Sequence, residues 1–378
     1  MGAFRAMMAK IALPAGDMAF SAPEPELSVV VPTLNEAETV ATLLAALAAQ
    51  RDVALELLLC DGGSTDGTAA LVRGRAGDLP FPVTVTETPP GRGRQMNAGA
   101  AAARGATFLF LHADSIIADP LALRRGLDHL AAARRSDKRA AGHFRLRFAG
   151  DSPSPLAYRF YERKARLHRP GCTHGDQGLL IPREFFDQVG PFDEGLPILE
   201  DVRLAERIAA MGTWVLLPAE IITSARRFET EGLRERQTLN AILMNFAAIG
   251  WQQGVEELVA GYRSQDRSGR LRLGPHLARI AGLTAALPRQ ERLRLWYLTG
   301  GYVRGNAWQI PLFLDVRNAW RRGGDDGATP LLSLHDRWFD LLTDNPAGRA
   351  AAALMTFLWF RLTLRREMKD WPGILRTP

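Results

Sequence analysis

The sequence predicts an α/β fold: a mostly parallel, doubly wound sheet flanked by helices, followed by a mainly helical C-terminal extension. Two observations predict it. Short runs of valine and leucine alternate with segments that carry apolar residues at helical spacing through the first part of the chain. One run, Phe-Leu-Phe-Leu at 108–111, is apolar at every position, which is typical of a strand buried on both faces of a parallel sheet.

The first four strands and three helices follow from local patterns. A valine run stops at Pro32, the next helix carries leucines at helical spacing, and a Val-Thr alternation marks the third strand. Gly105 ends the third helix, which follows a glycine-rich turn. We expect strands at 27–31, 55–60, 82–87 and 107–111, and helices at 36–50, 67–74 and 91–104.

The chain then continues with helices and two further strands. Asp119 and Pro120 form a suitable N-cap and first position for a helix. We expect helices at 120–136, 153–168, 182–189, 200–211 and 232–249, and strands at 141–148 and 175–181. The polar stretch 263–274 reads as a linker, and the remaining helices are expected to break at Pro311, at 323–327 and at Pro346.

Length and composition divide the chain into three parts. With 378 residues, 47% of them apolar and 23% charged, it is long enough for a large globular domain plus an extension. We expect a mobile leader at 1–26, an α/β domain at 27–262 and an extension at 263–378. Two cysteines exclude a disulfide framework and fit a cytoplasmic protein. No apolar run reaches the ~20 residues of a membrane-spanning helix.

The net charge of +6 is unevenly distributed. After Gly250 there are 19 Lys and Arg against 12 Asp and Glu, while the earlier residues are balanced, so nucleic acid is not expected as a partner. The last third also holds seven of the eight tryptophans. The extension, 265–378, is therefore expected to pack on the domain, to form a homo-oligomer interface, or to lie peripherally on a membrane.

Polar residues follow three of the predicted strands. They are Thr33, Asn35 and Glu36 after the first, Asp61 and Ser64 after the second, and His112 and Asp114 after the fourth. The carboxyl ends of parallel strands meet at one edge, so these side chains are expected to face a ligand rich in hydrogen-bonding groups. Alternatively, the glycines after Asp61 form a plain tight turn and Asp114 only caps the next segment.

Two further segments carry charged groups at helix starts. Arg92 and Arg94 lie where backbone donors and the helix dipole favour an anion, although a solvated basic helix end is the alternative. Glu200 and Asp201 begin another helix, where a carboxylate serves either as a general base or only to stabilise the dipole. Spacing alone does not decide between these readings.

Asp114 and His112 are candidate ligands for a divalent cation. A carboxylate with an imidazole suits Mn²⁺, whereas Mg²⁺ favours oxygen ligands and water. Two ligands do not define a site, and His174 is a candidate third ligand whose alternative is a capping or core role.

Five motifs in this order resemble family 2 glycosyltransferases of the GT-A fold, in particular a small bacterial branch with His-Ala-Asp in place of Asp-x-Asp. The resemblance covers about residues 27–250. The motifs are Ser28-Val-Val-Val-Pro-Thr-Leu-Asn-Glu36, Cys60-Asp-Gly-Gly-Ser-Thr-Asp-Gly67, Gly91-Arg-Gly-Arg-Gln-Met-Asn-Ala-Gly99, Leu111-His-Ala-Asp-Ser115 and Leu199-Glu-Asp201, with Gly175-Asp-Gln-Gly178 as a further segment.

The resemblance implies an inverting transfer of sugar from a UDP or GDP sugar to an acceptor hydroxyl. By that analogy Asp61 hydrogen-bonds the base, Asp114 holds Mg²⁺ or Mn²⁺ on the diphosphate, and Asp201, with Glu200 beside it, is the base. Arg94 neutralises phosphate or orients the sugar. The further donor-site residues implied are Pro32, Thr33, Asn35, Glu36, Gly62, Ser64, Asn97, His112, Ala113, Asp176, Gln177 and Arg226.

Two departures from the family pattern matter. His112 replaces the first aspartate of the usual metal motif, which puts metal dependence in question. The Gln-x-x-Arg-Trp motif of processive synthases does not follow Asp201, which argues against a polymerising enzyme. The alternative functions are a non-catalytic nucleotide-binding or scaffold protein with a decayed metal site, and a sugar-nucleotide pyrophosphorylase. The pyrophosphorylase is disfavoured because 32–36 is acidic and lacks glycine.

Overall fold

The computed structural model describes residues 24–149, 155–265, 269–324 and 327–369. Within them, seven strands form one sheet in the spatial order β3-β2-β1-β4-β6-β5-β7. The strands are β1 (Leu27–Thr33), β2 (Leu55–Asp61), β3 (Val83–Glu87), β4 (Thr107–Phe110), β5 (Ala140–Phe148), β6 (Leu179–Pro182) and β7 (Thr213–Thr223). Only β6 runs antiparallel to its neighbours, β4 and β5. The predicted mostly parallel sheet is confirmed.

Helices cover the sheet and make up the C-terminal part of the chain. The first seven are α1 (Ala37–Ala48), α2 (Thr68–Arg75), α3 (Arg92–Ala102), α4 (Ala122–Arg134), α5 (Pro155–Lys164), α6 (Arg183–Val189) and α7 (Glu200–Met211). The others are α8 (Arg226–Glu231), α9 (Leu233–Ala248), α10 (Gln252–Gln265), α11 (Leu273–Ala286), α12 (Arg289–Gly305), α13 (Gln309–Arg321), α14 (Pro330–Thr343) and α15 (Pro346–Lys369).

Successive residues of each strand point to opposite sides of the sheet, and helices cover both of these faces. Val29 and Val31 of β1 pack in one apolar cluster with residues of α1 and α4. Val30 lies in a second cluster, with residues of α3, α6 and α7. The mostly apolar composition of these strands reflects this two-sided burial.

Strand β1 has β2 on one side and β4 on the other, both parallel to it. The chain winds outward from β1 to β3 and then returns to the other side of β1 through α3 and β4. This reversal of strand order opens a crevice at the carboxyl ends of β1 and β4, where ligands bind in open α/β sheets.

Two predictions for the second half of the sheet were wrong. Of the strand expected at 175–181, only 179–181 joins the sheet, as part of β6, because Gly175–Gln177 forms a 3₁₀ turn. Strand β7 was not predicted, since Pro218 interrupts its pattern; the β5–β7 register shifts at this point, between the pairs His143–Leu216 and Arg145–Glu220. A proline cannot donate to the ladder, so a strand tolerates it at such an irregularity.

The C-terminal helices form their own apolar cluster, which includes residues of α9, α10, α11 and α15. The boundary expected at 262/263 stays a prediction. Pro311 does not break a helix but lies in the first turn of α13, where its missing N–H costs no hydrogen bond. Residues 1–23 of the predicted leader lie outside the described residues, whereas Glu26 pairs with Arg124 at 2.8 Å. None of the described helices is long and apolar enough to cross a membrane.

Candidate functional site

At the carboxyl ends of β1 and β2, Asp61 is the centre of a buried hydrogen-bond network. Thr33 lies opposite Asp61 in the register and donates its hydroxyl to Oδ1 at 3.0 Å. Ser64 donates its hydroxyl to Oδ1 and its N–H to Oδ2, at 2.5 and 2.8 Å, and the N–H of Gly63 also reaches Oδ2. Burial alone would raise the pKa of Asp61, but these hydrogen bonds hold it below its usual value.

The loop after β1 is tied to the loop after β2. Asn35, which has a left-handed backbone (φ 57°), donates its N–H to Ser64 Oγ at 2.8 Å and accepts the Thr65 N–H at 2.8 Å. Glu36 donates its N–H to Thr68 Oγ1 at 2.9 Å. Pro32 and Gly62 lie at the two strand ends. The structure therefore brings the first two predicted polar strand ends together into one rigid loop pair.

Arg94 and Asn97 lie on α3, facing the loop at 190–199. Asn97 accepts the N–H of Phe192 and donates to its carbonyl, both at 2.9 Å. Arg94 is 44% exposed and forms a 3.5 Å ion pair with Glu194. In this structure both residues hold the 190–199 loop against α3.

A second polar cluster lies beyond β4. His112 Nδ1 hydrogen-bonds Oδ1 of Asp176 at 2.8 Å. Burial would lower the pKa of His112 and raise that of Asp176, but their mutual contact raises the first and holds the second well below its usual range. The other ring nitrogen, Nε2, lies 2.5 Å from the point that a Cβ on Gly175 would occupy. Both nitrogens of His112 thus lie near other residues of the protein.

Gly175 connects His112 to the first turn of α7. Its N–H donates to Oδ2 of Asp201 at 2.6 Å, and a Cβ at this position would lie 3.1 Å from the same oxygen. The other carboxylate oxygen of Asp201 accepts the Val202 N–H at 2.8 Å. The half-buried Asp201 and His112 line a pocket whose other walls include Thr173, His174, Phe192 and Trp214.

Glu200 lies beside Asp201 but is buried. It is 1% exposed, and its Oε1 accepts from Nη1 of Arg92 at 3.3 Å. Burial raises the pKa of Glu200, and the charge of Arg92 only partly offsets this effect. Leu199, at the helix N-terminus, has a left-handed backbone (φ 68°), a conformation that costs a leucine of order 1 kcal/mol and occurs most often at functional sites.

Asp114 and Ala113 complete the turn after β4. Ala113 is buried, whereas the half-buried Asp114 forms no hydrogen bond or ion pair with another described residue. The described segments contain no group of three His, Cys, Asp or Glu suited to a metal ion. A single free carboxylate fits a cation that completes its shell with water and phosphate oxygens, which is the usual way that proteins bind Mg²⁺.

Gln177 and Arg226 occupy different surroundings. Gln177 is 1% exposed and forms hydrogen bonds with the carbonyl of Ala165, the N–H of His174 and Nδ1 of His143, so it holds the turn from within. Arg226 follows β7 and pairs with Glu38 of α1 at 3.1 Å, which places it at the same sheet edge as the loop after β1.

The structure thus gathers Asp176, Glu200, Asp201 and His112 on one side of the crevice and the Asp61 network on the other. Sequence reasoning pointed to the helix start of Arg92 and to the segment of Gly175 but assigned neither residue a role of its own. Arg92 stood in the same helix start as Arg94, but the sequence does not show which of the two faces α7. Gly175 belongs to the segment Gly175-Asp-Gln-Gly178. A residue without a side chain is needed there because His112 and Asp201 approach it closely.

Comparison with known families gives a match over residues 28–186, which is 159 of the 378 positions, to the family described as Glycosyl transferase family 2. No curated protein matches the chain.

Among solved structures, the chain is similar to the mannosyltransferase PcManGT from Pyrobaculum calidifontis in complex with GDP-Man and Mn²⁺. The identity is 20% and the TM-score 0.47, with 89% of this chain and 88% of that chain covered. It is also similar to residues 1–349 of S. aureus TarS in complex with UDP-GlcNAc, at 18% identity and a TM-score of 0.42, with 79% of this chain and 92% of that chain covered.

Proposed function

We propose that this glycosyltransferase, whose residues 28–186 match the family described as Glycosyl transferase family 2, transfers a sugar from a nucleotide-diphosphate sugar to an acceptor hydroxyl with inversion. One observation carries the assignment of the base. The carboxylate of Asp201 is held by the Gly175 N–H at the wall of a pocket, at the edge of the sheet where ligands bind.

Asp201 acts as the general base. Its carboxylate takes the proton of the acceptor hydroxyl while the hydroxyl oxygen forms a bond to the anomeric carbon. The bond from that carbon to the diphosphate oxygen breaks at the same time, and the nucleoside diphosphate leaves with the electron pair. A base held at a fixed position contributes about 10²–10⁴-fold to such a step.

Arg92 and Glu200 position this base rather than replace it. Glu200 is too deeply buried to reach an acceptor, and its ion pair fixes the guanidinium of Arg92 beside the first turn of α7. Arg92 is 42% exposed, so its remaining N–H groups are available to an anionic donor. His112 lines the same pocket next to Asp201, and its hydrogen bond with Asp176 favours the charged form of both groups.

We propose Asp114 as the residue that would hold Mg²⁺ or Mn²⁺. When bound, the ion supplies positive charge that neutralises the departing diphosphate. Asp114 suits this role because its carboxylate forms no hydrogen bond or ion pair with another described residue, whereas Nδ1 of His112 already hydrogen-bonds Asp176.

The nucleoside is proposed to bind across the loops after β1 and β2. Both oxygens of Asp61 already accept hydrogen bonds from Thr33, Ser64 and Gly63, so Asp61 shapes the surface on which the base rests. The exposed Asn35 and the half-buried Glu36 border the same surface, and Arg226 closes it from the side of β7.

The assignment of the base is tested with Asp201→Asn. Asparagine keeps the shape of the side chain but cannot take a proton, so we expect transfer to fall at least a hundredfold while binding of the donor nucleotide is unchanged. The matched control is Glu206→Gln, an exposed carboxylate on the same helix. An Asp201→Asn enzyme with full activity would overturn the proposal, and loss of nucleotide binding would assign Asp201 to the donor site instead.

The donor and the metal are tested together by thermal denaturation with UDP and GDP sugars, with and without Mn²⁺. A ligand that binds only the folded chain raises its melting temperature. We expect one nucleotide class to stabilise the protein, more strongly with Mn²⁺, and Asp114→Asn to remove only the Mn²⁺-dependent part. Equal stabilisation of both proteins by Mn²⁺ would contradict the metal assignment.

A further inference from the structure

The last two helices, α14 and α15, expose several large apolar side chains to solvent. On α14, Leu334, Trp338, Leu341 and Leu342 are 49–78% exposed. They are spaced four, three and one residues apart, so they form one stripe along the helix. Leu332 of the same helix is buried, so α14 turns one face inward and a second apolar face outward.

The same arrangement is found on α15. Leu354, Leu358 and Leu362 lie four residues apart on one stripe and are 49–65% exposed, with Met355 beside them at 65%. Ala352 and Phe360 face the core. The two helices follow each other across the turn at 344–345. Clustered exposed apolar side chains of this kind on a globular protein mark a candidate site of interaction.

Around the two stripes the acidic side chains are neutralised by ion pairs, whereas several arginines are not. All four acidic residues of α14, α15 and the turn between them pair with arginines: Asp336 with Arg169, Asp340 and Asp344 with Arg304, and Glu367 with Arg234. In contrast, Arg361, Arg365 and Arg366 form no ion pair with a described residue. Arg361 and Arg365 follow Leu358 and Leu362 by three residues each, so they lie on the same side of the helix, at the C-terminal end of the stripe.

We propose that α14 and α15 dock on the surface of an anionic lipid bilayer. An apolar stripe that ends in unpaired arginines matches the boundary between acyl chains and negatively charged headgroups. Trp338 suits the same boundary because its ring is apolar and its N–H is polar. The helices lie on the bilayer and do not cross it, consistent with the absence of a spanning helix among the described residues.

The basic surplus of the chain supports this partner rather than a second copy. The excess of Lys and Arg lies after Gly250, in the part that carries the stripes. Two copies that met through parallel α15 helices would bring their unpaired arginines close together, and such like-charge contact is unfavourable. An anionic surface neutralises these same groups.

The proposal is tested by flotation of the full chain with vesicles of phosphatidylcholine alone and of phosphatidylcholine with 30% phosphatidylglycerol. We expect binding to the anionic vesicles and its loss as salt rises, since exposed charges are screened. Leu358→Glu/Leu362→Glu should weaken binding at least about tenfold, and Arg361→Glu/Arg365→Glu at least about fivefold per residue.

The matched control is Leu293→Glu, a leucine of α12 that is 61% exposed and lies outside the two stripes. It should bind vesicles like the unmodified chain. Equal loss in Leu293→Glu and in the stripe variants would overturn the proposal. So would the absence of binding to anionic vesicles at low salt. A dimer in light scattering that Leu358→Glu/Leu362→Glu converts to monomer would also overturn it, because the stripe would then be covered by a second copy.

Discussion

The backbone N–H of Gly175 donates to Oδ2 of Asp201 at 2.6 Å, across 26 positions of the chain. This contact joins the 3₁₀ turn before β6 to the first turn of α7. His112 approaches the same glycine from the end of β4. Three elements that are distant in sequence thus meet at one residue without a side chain, and the position of the proposed base depends on that meeting.

Arg92 and Arg94 should respond differently to the same substitution. Arg92→Gln leaves the buried Glu200 without its ionic partner, which we expect to lower the free energy of unfolding by about 1–3 kcal/mol. The cost stays below that of a fully buried pair because Arg92 is 42% exposed. Arg94→Gln breaks only an exposed pair with Glu194 and should cost at most about 0.5 kcal/mol.

Urea unfolding of both variants measures the difference, and transfer activity gives a second readout. We expect activity to fall at least tenfold in Arg92→Gln and to be nearly unchanged in Arg94→Gln. The opposite order would restore the role that the family resemblance implied for Arg94 and would contradict the placement of Arg92 in the site.

The contrast between these arginines shows where sequence reasoning stops. Both stand in one glycine-rich helix start, and a rule about helix N-termini applies to both equally. Which of them faces α7 depends on how α3 crosses the sheet and on the loop that Asn97 holds through Phe192. These are tertiary contacts between residues about 100 positions apart, and local pattern does not encode them.

The strands also differ in how well the sequence predicts them. β1, β2 and β4 are buried on both faces and are mostly apolar, with the buried Ser28 and Glu56 as exceptions, so the sequence predicts them with small errors at their ends. β7 is irregular where Pro218 lies opposite the register shift, and partly exposed residues interrupt its pattern. Its position is set by pairing with β5, so that the fold overrides a weak local signal.

His143 should make stability depend on pH. It is fully buried on β5, and burial lowers its pKa to about 4 from an ordinary value of 6.5. Between these values the unfolded chain binds a proton that the folded chain does not bind. The free energy of unfolding therefore falls as the pH drops from about 6.5 towards 4, and this group contributes up to about 3 kcal/mol to that loss.

Replacing the imidazole isolates its contribution. His143→Gln keeps a hydrogen-bonding group opposite Gln177 but does not titrate, so its stability should decline less steeply over the same pH range. Urea unfolding at several pH values between 4 and 7.5 gives both curves. The other histidines are present in both proteins and cancel in the difference. Parallel curves would show that His143 titrates with an ordinary pKa.

Gly175→Ala should damage activity far more than stability. The glycine does not need a left-handed backbone, so the effect of alanine is steric. The added Cβ would lie 2.5 Å from Nε2 of His112 and 3.1 Å from Oδ2 of Asp201, and both side chains must move away. Because a displacement of about 1 Å in an active site can cost a hundredfold in rate, we expect transfer to fall by about that factor.

The control is Gly282→Ala in α11, where a Cβ meets nothing within 4 Å and should stabilise the helix by about 0.5–1 kcal/mol. Transfer rates with saturating donor, together with melting temperatures, separate the two effects. A Gly175→Ala enzyme that keeps its full rate would show that the contact between Gly175 and Asp201 does not position the base.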